Sequence, residues 1–199
     1  APVIPTATGC ALLIDCGASV DCKPEQLEQF GVMGSIYMRE VLGIENPRVG
    51  LVNNGAEEEK GNALTKETFQ LLKKADLNFV GNVEARDLPL GACDVIVCDG
   101  FVGNVIMKLM EGCAISFSTM LKQEFMKKTS YKIGAALAKP ALKSFKKQMD
   151  YTEYGGALLL GVNSGVIKAH GSSDARAFTM AIRRAADFAD TGITVEIAK

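Results

Sequence analysis

Short apolar runs alternate along this chain with longer amphipathic stretches, and this alternation limits the folds open to it. Four runs have the length of buried strands: 11–15, 49–53, 77–80 and 94–98. Stretches of helical periodicity separate them, from about 24 to 42 and from 64 to 74. Strands joined by helices favour a parallel sheet covered on both faces. The sequence therefore predicts a three-layer α/β/α fold with a mostly parallel sheet.

The pattern changes after Gly103. The stretch from Val105 to about Lys128 is helical in period and apolar on one side, and a second helical stretch follows from about 133 to 148. Pro140 is expected to interrupt the second stretch. Together they predict a helical hairpin over about 105–149 that protrudes from a single α/β domain of residues 1–199. Two more strands are predicted at 157–160 and 166–168, before a last helix that ends near Asp190.

The composition excludes several classes of protein. The 199 residues are 48% hydrophobic and 23% charged, with a formal net charge of −1, which fits neither disorder nor a strongly basic nucleic-acid binder. No uninterrupted apolar run approaches the roughly 20 residues that cross a bilayer. The chain has one histidine and six cysteines with no CxxC pair, so no metal site is predicted. The cysteines are expected to be buried, reduced thiols of a cytoplasmic protein.

Polar residues cluster where the predicted strands end. Five clusters follow apolar runs: 15–18 (DCGA), 53–55 (NNG), 81–87 (GNVEARD), 99–104 (DGFVGN) and 170–174 (HGSSD). Any one of them can be only a turn. Open parallel sheets place ligands beyond the carboxyl ends of their strands, so five clusters together indicate a shared crevice.

Two of these clusters open helices, where backbone N–H groups favour an anion. The first is 99–104, whose small residues let a ligand approach the backbone. The second is 170–174, in which Ser172, Ser173 and Asp174 offer polar contacts. Capping of the following helix is the alternative role of Ser172 and Asp174. It does not account for His170, the only histidine, directly before them.

Common nucleotide and hydrolase motifs are missing from the sequence. It contains no GxxxxGK[ST] phosphate loop, no GxGxxG after a strand and no GxSxG elbow. A nucleoside triphosphatase, a dinucleotide-binding enzyme and an α/β-hydrolase are therefore disfavoured, and no cofactor is predicted. The residues alone lead to an anion-binding crevice in an α/β fold.

Seven motifs in order resemble one family. They are 14–25 (IDCGASVDCKPE), 47–53 (PRVGLVN), 60–66 (KGNALTK), 79–87 (FVGNVEARD), 97–104 (VCDGFVGN), 154–157 (YGGA) and 167–174 (IKAHGSSD). Together they resemble the PlsX-type phosphate acyltransferases along essentially the whole chain. The departures are small: Cys16 and Cys22 stand where the family commonly has Val and Ala, and Asn54 where it has Ile or Val.

The resemblance implies a fold like that of the isocitrate and isopropylmalate dehydrogenases and of the phosphate acetyl- and butyryltransferases. It implies transfer of a fatty acyl group from acyl carrier protein to inorganic phosphate, which gives acyl phosphate for bacterial phospholipid synthesis. The family's N-terminal segment, with its AMGGDHAP opening and SAGNTGA loop, is not in this sequence. Those motifs are expected to line the same crevice, so this chain alone is not expected to be fully active.

For that reaction we expect three residues to act in catalysis: His170, Asn82 and Asp99. His170 is the candidate proton donor to the oxyanion or to the leaving thiolate. The residues expected at phosphate or the acyl donor are Asp15, Lys66, Glu84, Arg86, Gly100, Gly103, Asn104, Gly171, Ser172, Ser173 and Asp174. Lys66 or Arg86 would supply a counter-charge. Asp15, Asn82 and Glu84 are expected to orient these groups, with simple turn formation as the alternative.

The predicted hairpin is basic and amphipathic. Its second half carries Lys139 and Lys143 among many lysines, with Ile133, Leu137 and Leu142 opposite them. Such a surface can meet an anionic membrane or the acidic acyl carrier protein, and a merely solvated face is the alternative. The apolar stretch 106–121 can pair with a second subunit. The expected location is the cytoplasm with peripheral membrane association. A coenzyme A-dependent phosphotransacetylase and a non-catalytic membrane scaffold remain as other functions.

Overall fold

The computed structural model describes residues 1–148, 156–169, 175–190 and 192–197. The chain divides into two compact units. Unit 1 comprises Ala1–Asn104 together with Tyr151–Lys199, and unit 2 comprises Val105–Asp150.

Unit 1 contains a five-stranded sheet. Its strands are β1 (Val3–Thr6), β2 (Gly9–Ile14), β3 (Arg48–Asn53), β4 (Asn78–Glu84) and β5 (Val95–Val97), in the order β1-β2-β5-β3-β4. The last four pair in parallel, and β1 pairs antiparallel to β2 at the edge. This confirms the prediction of an α/β fold with a mostly parallel sheet. The likeness to the isocitrate dehydrogenase fold stays a prediction.

Two helices cover one face of this sheet. Helix α1 (Pro24–Glu40) contacts β2, β5 and β3, and helix α2 (Ala63–Lys74) contacts β3 and β4. Gly34 lets α1 approach closely, because a Cβ there would lie 2.5 Å from Cγ1 of Val95. The buried side chains of Leu27, Met38 and Leu72 complete a core with the inward residues of the strands. Burial of such large side chains contributes about 1.5–3 kcal/mol each.

The chain after residue 155 adds smaller elements to unit 1. Strands β6 (Ala157–Leu159) and β7 (Val166–Lys168) form an antiparallel pair, which confirms the two strands predicted there. A helix, numbered α5, spans Ala175–Asp190 where the last helix was predicted. A short helix, α6 (Ile193–Ile197), packs on α1, where Glu196 pairs with Arg39 at 2.7 Å.

Unit 2 contains most of α3 (Gly100–Met126) and all of α4 (Thr129–Gln148), which two residues connect. Helix α4 continues through Pro140, so the predicted interruption is wrong. Proline removes one helical hydrogen bond, and here the flanking helix formers keep the helical conformation on both sides. The packing of α3 and α4 as a protruding hairpin stays a prediction, as does the organisation of residues 1–199 as one domain.

Helix α3 has the length and composition of a helix that can cross a membrane. It is 27 residues long, with a mean hydropathy of 1.2 in its most apolar 18-residue window. Lys108 and Glu111 interrupt its apolar residues, so α3 contains no long uninterrupted apolar run. Core helices of soluble proteins pass the same test, so this property alone assigns no membrane span.

Candidate active site

Three parallel strands bring their following turns to one edge of the sheet. Ile14 of β2 and Leu51 of β3 are both in register with Val97 of β5. Neighbouring strands lie about 5 Å apart, so the turns that begin at Asp15, Asn53 and Asp99 start side by side. This edge, beyond the carboxyl ends of the strands, is where open parallel sheets bind ligands.

The carboxylate of Asp15 organises the turn that follows β2. Asp15 is buried and accepts hydrogen bonds from the backbone N–H groups of Cys16, Ala18 and Ser19, at 3.1 Å for Ala18. Gly17 lies inside this turn with φ of 104°, a conformation that other residues rarely adopt. The carboxylate is therefore occupied by backbone donors, which fits a role in orienting the turn.

The first turn of α3 packs directly on the Asp15 turn. The Gly100 N–H donates to the carbonyl of Ser19 at 2.8 Å. A Cβ at Gly100 would lie 2.7 Å from the same carbonyl oxygen, and a Cβ at Gly103 would collide with the carbonyl oxygen of Asp15. Both glycines are therefore needed for close backbone packing. Asn104 completes this contact, because its Nδ2 would lie 2.7 Å from a Cβ at Gly17.

Asp99 caps α3. Its carboxylate accepts from the Val102 N–H at 2.8 Å, and its carbonyl accepts from the Gly103 N–H at 3.0 Å. Together with the Gly100 N–H, three donors at the start of α3 already have protein acceptors. Binding of phosphate by the 99–104 turn stays a prediction, and these contacts favour side chains over the backbone as its ligands.

Two thiols border the same contact. Cys16 donates from Sγ to the carbonyl of Gly103, and Cys98 donates from Sγ to the carbonyl of Asp15, both at 3.5 Å. Burial, with the nearby charge of Asp99, raises the pKa of Cys98 well above its ordinary value. A thiol that resists ionisation is a poor nucleophile, so Cys98 contributes packing. Burial of the cysteines is confirmed for Cys93 and Cys98 and is wrong for the other four, which are half-buried: Cys10, Cys16, Cys22 and Cys113.

Asn82 is engaged at both ends of its amide. It is 6% exposed, accepts at Oδ1 from Asn53 at 3.0 Å and donates from Nδ2 to the carbonyl of Glu57 at 2.8 Å. The catalytic and orienting roles expected of Asn82 stay predictions. Asn53 was not among the candidate site residues, although its position at the end of a strand, in the 53–55 cluster, was the available signal.

The two candidate counter-charges have different surroundings. The guanidinium of Arg86 contacts the carboxylates of Glu84 at 2.9 Å and Asp87 at 3.9 Å, so its charge is largely offset. Lys66 lies exposed in the first turn of α2 and forms no ion pair with any residue that the structure describes. Lys66 is therefore the better placed of the two to attract an anion.

The second candidate turn falls outside the described residues. It comprises His170, Gly171, Ser172, Ser173 and Asp174, between the end of β7 and the start of α5. Their roles stay predictions. In the described part of the chain, no group of three or more His, Cys, Asp and Glu side chains is arranged to hold a metal ion.

Curated relatives match the chain from end to end. A phosphate acyltransferase of Alkaliphilus oremlandii is 58% identical over 199 residues, which are 100% of this chain and 59% of the relative. One of Clostridium botulinum is 54% identical over 197 residues (99% and 59%), and one of Brevibacillus brevis is 60% identical over 186 residues (93% and 56%). The chain thus spans 59% or less of the length of these relatives.

A family model described as fatty acid synthesis protein matches residues 1–196. The match covers both the Asp15–Asp99 edge and the 170–174 turn, and it agrees with the seven motifs that resemble the PlsX type. The chain therefore belongs to the fatty acid synthesis protein family of PlsX-type sequences.

Proposed function

We propose that the native protein transfers a fatty acyl group from acyl carrier protein to inorganic phosphate and releases acyl phosphate. The observation that carries this proposal is the 58% identity over all 199 residues to a relative named phosphate acyltransferase. The sheet edge that gathers Asp15, Asn53 and Asp99 supports it, because a crevice there suits a small anion and an extended donor.

The reaction depends mainly on the positions of phosphate and of the thioester relative to each other. Phosphate near neutral pH is already substantially dianionic, so it needs positioning more than deprotonation. The crevice has to hold this anion against a thioester carbonyl and stabilise the negative charge of the tetrahedral intermediate. In the proposed mechanism Lys66 attracts phosphate, the 99–104 turn shapes its site, and His170 donates to the oxyanion or to the leaving thiolate. A phosphate oxygen adds to the thioester carbonyl and forms the C–O bond of the tetrahedral intermediate. Collapse of this intermediate breaks the C–S bond and releases the carrier as a thiolate, which takes up a proton.

A coenzyme A-dependent phosphotransacetylase is the second candidate, since it would use the same anion and the same thioester chemistry. The native protein at full length should form acyl phosphate from palmitoyl-acyl carrier protein at least tenfold more efficiently, in kcat/KM, than from acetyl-coenzyme A. Trapping of acyl phosphate as hydroxamate measures both reactions. The opposite preference would assign the phosphotransacetylase reaction, and no product from either donor would remove the acyltransferase proposal.

We also propose that the protein is cytoplasmic and meets an anionic membrane surface through α4. Ile133 and Leu137 are exposed, Leu137 at 80%, and Lys139 and Lys143 are exposed on the same helix. Leu142 is half-buried. Each lysine near an anionic surface contributes about 1 kcal/mol of salt-sensitive attraction, and buried apolar surface adds about 25 cal/mol per Å². Neither the electrostatic attraction nor the apolar burial is sufficient alone for stable membrane binding, so both are needed.

Binding to phosphatidylglycerol vesicles should therefore fall as salt rises and fall further in Leu137→Glu. Leu90→Glu is the matched control, because Leu90 is 64% exposed in a turn of unit 1, far in sequence from α4. Vesicle co-sedimentation measures binding, and circular dichroism checks that each variant is folded. Wild type that ignores the vesicles at low salt, or equal loss in both variants, would rule out docking through α4.

The exposed apolar side chains of α3 support a homodimer. Leu109, Ile115, Phe117 and Met120 are all exposed, and a surface of this kind is usually covered by a partner.

A membrane scaffold without catalytic activity would show vesicle binding but no acyl phosphate in the same preparations.

A further inference from the structure

Two asparagine side chains hold the loop of residues 54–62 at the carboxyl edge of the sheet. Asn53 ends β3, and its Nδ2 donates to Oδ1 of Asn82 at 3.0 Å and to the carbonyl of Lys60 at 3.1 Å. Asn82 lies in β4 and donates from Nδ2 to the carbonyl of Glu57 at 2.8 Å. The linked amides thus fix the loop at its middle and near its end.

The loop is packed tightly on Asn53. Gly61 has φ of 105°, and a Cβ there would lie 2.7 Å from Nδ2 of Asn53. Gly55 is buried beneath the side chain of Lys60. Asn62 then caps α2 by accepting from the Thr65 N–H at 2.9 Å. These contacts restrict the conformation of the loop, so a substitution of Asn53 should change the conformation of residues 54–62.

The loop begins beside the candidate phosphate turn. Leu51 of β3 is in register with Val97, the last residue of β5, so Asn53 and Asp99 each come two residues after this pair, Asn53 at the end of β3 and Asp99 in the turn after β5. Residues 54–62 contain three glutamates and one lysine. Glu58 pairs with Lys73 at 2.9 Å, and Glu57 and Glu59 form no ion pair within the described residues. Such a loop repels a dianion and suits the uncharged thioester end of an acyl donor.

We propose that Asn53 is a positioning residue, and that it holds residues 54–62 as the wall of the site on the thioester side. The proposal rests on the proposed acyl transfer to phosphate. Asn53 acts through the loop and through Asn82, and it touches no reacting atom. Its effect should therefore appear in the use of the acyl donor and leave the use of phosphate unchanged.

The test is Asn53→Asp in the native protein at full length. The substitution replaces the Nδ2 donor by an oxygen that faces two acceptors, Oδ1 of Asn82 and the carbonyl of Lys60. We expect kcat/KM for acyl-acyl carrier protein to fall about ten- to a hundredfold, the scale of a misplaced binding wall. The KM for phosphate should stay within about twofold, because lost positioning of the donor leaves phosphate contacts intact.

Asn78→Asp is the matched control. Asn78 opens β4 at the opposite edge of the sheet, where its Nδ2 donates to the carbonyl of Asn46 at 3.2 Å. It loses one donated bond where Asn53→Asp loses two, so a merely structural effect should lower kcat/KM for the acyl donor in both variants and differ only in size. Cleavage by a glutamyl endopeptidase after Glu57 or Glu59 should also be faster in Asn53→Asp alone.

Several results would overturn the inference. They are wild-type kinetics in Asn53→Asp, an equal loss in Asn78→Asp, or a rise confined to the KM for phosphate. If Asn53→Asp does not fold, Asn53→Ser replaces it, and failure of both to fold would make Asn53 a structural residue. If wild type itself forms no acyl phosphate, the proposed function fails separately, and the inference that rests on it falls with it.

Discussion

Gly103→Ala should destabilise the protein by about 2–4 kcal/mol, the range of severe overpacking in a rigid core. The added Cβ would collide with the carbonyl oxygen of Asp15 and would lie 3.0 Å from Sγ of Cys98. Because the first obstacle is backbone, a rotamer change cannot relieve it. Either the Asp15 turn or the start of α3 has to move, and both belong to the candidate site. Thermal unfolding followed by circular dichroism measures the loss.

Gly112→Ala is the matched control for this prediction. Gly112 lies in the same helix, and apart from the adjoining helix backbone no atom lies within 4 Å of the Cβ that would be added there. An alanine in place of a helical glycine should stabilise by about 0.5–1 kcal/mol. A Gly103→Ala protein as stable as wild type, or a loss of the same size in both variants, would contradict the packing seen at Asp15.

The close packing also changes what larger substitutions at this turn can report. The 99–104 and 170–174 turns are both predicted to bind phosphate, so Gly103→Val and Ser172→Val would each be expected to raise the KM for phosphate. Valine at Gly103 adds still more bulk against Asp15, so its kinetics would mix instability with any loss of phosphate binding. The structure therefore makes Gly103 a test of packing and leaves Ser172→Val as the test of phosphate binding by a candidate turn.

His170→Ala should lower turnover roughly ten- to a thousandfold in the native protein at full length, the range for losing a proton donor or an oxyanion contact. Near pH 7 an imidazole is the side chain best suited to this role, because its ordinary pKa is about 6.5. If ionisation of His170 causes part of the pH dependence of the rate, that part should be absent in the alanine variant. Steady-state formation of acyl phosphate across pH 5–9 measures both effects.

His170→Gln serves as the control for the proton. Glutamine can donate a hydrogen bond to an oxyanion and cannot give up a proton. Activity that recovers in His170→Gln indicates oxyanion stabilisation, and activity that stays low in both variants indicates proton transfer. Near-normal turnover in folded His170→Ala would give His170 a structural role only.

Much of the architecture could be predicted from the sequence because it depends on local patterns. Pro24 opens α1, as a proline in a first helical turn indicates, and strands β2, β3 and β5 lie within or close to the apolar runs. Strand β4 continues to Glu84, so the prediction that residues 81–84 follow this strand is wrong. The edge strand β1 was missed, since Pro2 precedes its four residues and Pro5 is one of them. Proline is tolerated there because an edge strand needs fewer ladder bonds. The family, too, followed from motif order alone.

The sequence could also place polar residues at one edge, because parallel strands share a direction. It could not decide which of those residues face a ligand and which face the protein, since that depends on hydrogen bonds between segments distant in the chain. The carboxylate of Asp15 accepts hydrogen bonds from N–H groups of its own turn. Asn82 accepts a hydrogen bond from Asn53, 29 positions away in the chain, and Arg86 forms an ion pair with Glu84. The glycines at 100 and 103 likewise predicted that a ligand could approach the backbone there. Only tertiary packing showed that the Asp15 turn fills that space, because a close backbone approach between two distant segments leaves no pattern in either of them.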